Sequence, residues 1–70
     1  MQQQWIIELL ESVMERENIS EAQMAVIVQK DSDWMEQIRN GKTELTLLDC
    51  HFICEQLHIT LFRLFNDYNK

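Results

Sequence analysis

Seventy residues with no proline, one glycine and 46% hydrophobic content can bury one modest core, and they favour helices over a turn-rich sheet. That hydrophobic content excludes a disordered acidic tail, and no apolar run approaches the roughly 18 residues needed to span a membrane. The formal net charge of −6 argues against nucleic acid as a partner, because phosphate contacts come from Lys and Arg. The opening Met1-Gln2-Gln3-Gln4 lacks the basic region of a secretory signal, so the expectation is a soluble cytoplasmic protein. With no linker, repeat or low-complexity stretch, residues 1–70 read as one domain.

Trp5, Ile6, Leu9, Leu10, Val13 and Met14 fall on one face of a first helix that should fade at Asn18. Ser20 then reads as an N-cap, and Gln23 three residues on completes a capping box. Ile19 and Met24 are placed as a hydrophobic staple around that cap. The second helix is expected from Glu21 to Val28, followed by a turn through Gln29, Lys30 and Asp31. Asp31 or Ser32 can cap a third helix that carries Met35 and Ile38 inward. Gly41, the one glycine, stands where that helix needs a left-handed residue to end. The start signal recurs twice. Thr46 with Asp49, and Leu45 facing Cys50, open a fourth helix over Leu47–Leu57; Thr60, with Ile59 facing Leu64, opens a fifth over Leu61–Asp67. The fold class is therefore all-α, a compact bundle of about five helices.

Cys50, His51, Cys54 and His58 invite a metal reading, because positions 50, 54 and 58 share a helix face. Reduced cysteine also packs as a small hydrophobe, imidazole suits a helix C-terminus, and structural zinc usually draws ligands from two separate segments. No metal, cofactor or disulfide is expected. The chain has no glycine-rich phosphate loop and no catalytic arrangement, so no enzyme is expected either.

Two short helices joined by a turn inside such a bundle is a helix-turn-helix layout. The segments Ser20-x-x-x-Met24-Ala25, Met35-Glu36-Gln37-Ile38-Arg39-Asn40-Gly41-Lys42 and Leu57-His58-Ile59-Thr60-Leu61-x-x-Leu64-Phe65 follow one another in register over roughly Leu9 to Phe65. They resemble the phage-repressor and Cro (XRE-type) helix-turn-helix family, whose fold is that of a lambda-repressor-like DNA-binding domain. The resemblance implies a DNA-binding transcriptional regulator, a repressor acting as a homodimer on double-stranded DNA. The positions that would reach base edges are Ser32, Asp33, Trp34 and Gln37, with Trp34 exposed. Gln37 is suited to adenine, and Asp33 can accept from cytosine. Asn40, Lys42 and Thr43 would hold phosphates.

Three departures stand out. Asp31 and Asp33 place negative charge at the front of the reading helix, although carboxylates there also cap a helix and suit its dipole. Trp34 stands where small polar residues are usual, and it can either contact DNA or protein or pack its flat side against the local turn. The family's Arg–Glu pair between helices one and three falls on Met14 and Arg39, which leaves Arg39 open to another partner. The resemblance also implies dimerisation through the C-terminal helix. Phe52, Leu61, Phe62, Phe65 and Tyr68 exceed what so small a domain easily buries, and Phe62 should point away if Leu61, Leu64 and Phe65 face inward. The alternative is the same fold reused as an acidic protein-binding module, an antirepressor or inhibitor, with Asp33 and Trp34 as anchors.

Overall fold

The structure is a computed structural model and describes residues 4–66. It is all-helical, with α1 at Gln4–Glu17, α2 at Glu21–Ile27, α3 at Trp34–Arg39, α4 at Leu47–Leu57 and α5 at Leu61–Asn66. The expected fifth helix ran to Asp67, which lies outside the described residues.

Local chemistry starts the helices. Ser20 Oγ accepts from the Gln23 amide at 3.1 Å, and Gln23 Oε1 accepts from the Ser20 amide at 2.7 Å. Thr46 and Asp49 exchange the same pair of bonds at 3.1 and 3.0 Å. Thr60 Oγ1 accepts from the Arg63 amide at 3.1 Å. Each cap satisfies amides that have no partner within the first turn of a helix. The staple partners Met24, Cys50 and Leu64 are buried, while Ile19, Leu45 and Ile59 pack half-buried against the same core.

Helix ends share one device. Asn18, Gln29, Gly41 and His58 occupy the left-handed region, at φ 57°, 61°, 71° and 58°. In each case the next amide reaches back five residues to a carbonyl: Ile19 to Met14, Lys30 to Ala25, Lys42 to Gln37 and Ile59 to Cys54, at 2.8–3.0 Å. These are Schellman closures. Only Gly41 adopts that φ without steric cost.

The third helix begins later than expected. Its N-cap is Asp33, not Asp31 or Ser32, and the Asp33 carboxylate makes no capping bond. Val28 caps α2 and residues 29–33 connect it to α3, a longer link than the tight turn over residues 29–31. α2 packs on both α3 and α4, and α4 packs on α5.

The buried side of α1 comprises Ile7, Leu9, Leu10, Val13 and Met14. Trp5 and Ile6, expected inward, are exposed and half-buried respectively. Ile7 replaces them because positions 7, 10 and 14 form one helical stripe. With Met24, Ala25, Val28, Trp34, Met35, Ile38, Cys50, Ile53, Cys54 and Leu64 these residues make one continuous core.

Candidate nucleic-acid interface

The third helix is held by three inward side chains, Trp34, Met35 and Ile38. Spacing of i, i+1 and i+4 puts them on one face, so the other face of α3 is turned outward. On that side Ser32, Asp33, Asn40 and Lys42 are exposed, and Gln37 and Thr43 are half-buried. Six of the seven expected contact residues are thus accessible along α3 and the turns at its two ends.

Trp34 is the exception and a correction. It was placed in the open, as a contact for DNA or protein or packed flat against the local turn, yet only 2% of its surface is accessible. Its indole Nε1 is buried and finds no hydrogen-bond partner among the described residues. The apolar spacing of α3 already favoured the inward position. Trp34 therefore positions the helix and cannot touch a ligand from where it sits.

Asp33 and Gln37 are linked. The Gln37 side-chain amide donates to Asp33 Oδ1 at 3.1 Å, one helical turn away. Having lost the capping role, the Asp33 carboxylate orients the Gln37 amide instead. That amide has a second N–H and a carbonyl oxygen with which to meet the edge of a base.

Arg39, which the missing family pair leaves open to another partner, finds that partner in carboxylates of two other helices. In the structure its Nε and Nη2 donate to Glu11 Oε2 at 3.3 and 3.2 Å, and its Nη1 donates to Glu21 Oε1 at 3.2 Å. Nη2 also bonds Glu21 Oε2, and Glu36 Oε1 lies 3.7 Å from Nη1. One guanidinium thus ties α1, α2 and α3 together. A cross-link between helices one and three is present after all, with the cation on helix three and the anion one turn from Met14. The hydrogen bond from Arg39 holds the Glu21 carboxyl below its usual range, against a smaller opposing effect of burial. The same bond raises the Arg39 pKa. The Glu11 and Glu21 partners were not visible in the sequence, because both are distant in the chain from Arg39, whereas Glu36 is its neighbour one helical turn back.

The surface around the helix is electrically mixed. Residues 30–44 carry four acids, Asp31, Asp33, Glu36 and Glu44, against three bases, Lys30, Arg39 and Lys42. With Arg39 occupied, Lys30 and Lys42 are the exposed cations of that segment.

Two further features were anticipated. Phe62 is 78% exposed on α5, pointing away from the buried Leu64. Leu61, expected inward, is 45% exposed, so only Leu64 and the half-buried Phe65 face the core. Leu61, Phe62, Phe65 and Asn66 line a shallow apolar depression, and Phe65 meets Trp5 of α1 with ring centroids 6.3 Å apart. Tyr68, the remaining expected dimer residue, lies outside the described residues. Cys50 and Cys54 are buried free thiols, whereas His51 is exposed. Burial pushes both thiols up in pKa, with neighbouring Cys54 and Asp49 adding to the effect at Cys50. No helix among the described residues is long and apolar enough to cross a membrane.

Comparison of this chain with protein families, with characterised proteins and with solved structures finds no match.

Proposed function

We propose that the chain is a helix-turn-helix regulator of the Cro/repressor type that binds double-stranded DNA as a homodimer. The observation that carries this reading is the division of α3. Trp34, Met35 and Ile38 anchor it, while Asp33, Gln37, Asn40, Lys42 and Thr43 form an accessible polar edge. A short helix fixed in this way can lie in the major groove. Gln37, oriented by Asp33, reads a base edge; Asn40, Lys42 and Thr43 meet phosphates; Ser32 stands at the approach to the helix. Phe62 and Leu61, exposed on α5, support pairing of two copies, which would present two reading helices to two half-sites.

The experiment is equilibrium binding to duplex DNA across a salt series. Lys42→Ala should weaken all sequences alike and make the log affinity–log salt slope shallower by about 0.9 for each phosphate no longer neutralised. Gln37→Ala should leave the slope unchanged and relax preference at one base pair, by about 1–3 kcal/mol. Equal loss on every sequence from both substitutions would contradict these roles.

A second reading has an observation in its favour. Arg39 is enclosed by Glu11, Glu21 and Glu36, and Asp31 and Asp33 lead into α3. The same edge can therefore offer an acidic surface to a basic protein partner. Under this reading a pull-down that depends on Asp33 and Glu36, with no duplex binding at low salt, is the expected result.

A further inference from the structure

We propose that Glu11 and Glu21 together act as an intramolecular anion that occupies the Arg39 guanidinium and withholds it from a DNA phosphate, so that the reading edge is self-restrained. This inference rests on the DNA-binding reading. A guanidinium presents two forked faces, each matched to a pair of oxygens on carboxylate or phosphate. Glu11 takes the face formed by Nε and Nη2, at 3.3 and 3.2 Å; Glu21 takes the face formed by Nη1 and Nη2 with both of its oxygens. No forked face is left for a phosphate.

The position matters as much as the occupancy. Arg39 is the last residue of α3, directly precedes Asn40 and lies three residues before Lys42, so it is close in the chain to the proposed phosphate contacts. The cluster of one guanidinium and three carboxylates carries a formal charge of 1 − 3 = −2, which repels a phosphate while the latch is closed. Nor is the latch deeply set. The Arg39 side chain is 29% accessible, and those of Glu11 and Glu21 are 48% accessible. Exposed ion pairs contribute little to stability and are screened by salt, so an external anion can compete for the cation.

The test uses the full chain and a pool of random-sequence duplexes of one length, with anisotropy read over a salt series. Glu21→Gln and the double variant Glu11→Gln/Glu21→Gln are each measured with Arg39 present and in an Arg39→Gln background. With Arg39 present, the neutralised variants should bind several-fold tighter at low salt. Their slope should steepen by about 0.9 per protomer, one added phosphate contact. In the Arg39→Gln background the steepening should disappear. A gain of the same size in that background would mean that plain charge repulsion was relieved, and the inference fails. Wild-type binding that the neutral variants leave unchanged also overturns it, while the DNA-binding reading stands. Absence of duplex binding by every variant, with helical circular dichroism intact, overturns both.

Discussion

Gln29 holds φ at 61° so that the Lys30 amide can reach the Ala25 carbonyl and close α2. A side chain with a Cβ is disfavoured there by about 1–2 kcal/mol, while glycine costs about 0.5–1 kcal/mol in unfolded-state entropy. Gln29→Gly is therefore expected to stabilise the protein by roughly 0.5–1 kcal/mol in urea unfolding. Destabilisation would show that the Gln29 side chain contributes something beyond its backbone conformation. His58 and Asn18 obey the same logic, and Asn is the more tolerant of the left-handed region. Glycine at position 41 was a legible stop signal. Asn18 was legible as well, as the place where the first helix should fade; Gln29 and His58 were not marked as left-handed by residue type, and there the end of the preceding apolar period and the following cap were the clues.

At the scale of elements, the bounds of α2 and α4 were legible to within a residue, and the start of α3 was not. Ser20–Gln23, Thr46–Asp49 and Thr60 set the phase of α2, α4 and α5, and each forms the bonds its residue types allow. The third helix departed from expectation: Asp33, not Asp31 or Ser32, holds the N-cap position, and its carboxylate goes to Gln37. Trp34 shows the opposite error. Its spacing from Ile38 marks burial, and the family resemblance, which places an exposed residue there, points the wrong way. Its indole N–H is buried without a partner among the described residues, at a cost of about 1–3 kcal/mol. Trp34→Phe keeps an aromatic ring and removes the stranded donor, so the loss of volume and the gain should offset to within about 1 kcal/mol. Trp34→Ala opens a cavity and should cost about 3–5 kcal/mol. Thermal melts of the two variants decide this, and equal destabilisation by both would contradict the unpaired-donor account. Because Trp34 is not a contact, Trp34→Phe should also leave any duplex preference intact.

Over the whole molecule, charge is what shapes function. The chain carries −6, and a pair of copies would carry 2 × (−6) = −12. Under the proposed DNA-binding reading, long-range steering opposes DNA approach, and affinity would come from a few local contacts at Lys42, Asn40 and Thr43 on each copy. Composition alone made the global charge legible. The capture of Arg39 by carboxylates from two other helices was not, since it joins positions 11, 21 and 39 through tertiary packing. The surface chemistry of the reading edge thus depends on contacts that no local pattern encodes. The direct measurement of the central claim is enrichment from a random duplex library by the full chain at low salt. A DNA-binding regulator built on α3 should enrich a two-fold symmetric motif whose half-sites lie about 34 Å apart, and Gln37→Ala should blur one position in each half. No enrichment of any duplex, from protein whose helical circular dichroism and cooperative unfolding are intact, would contradict the claim.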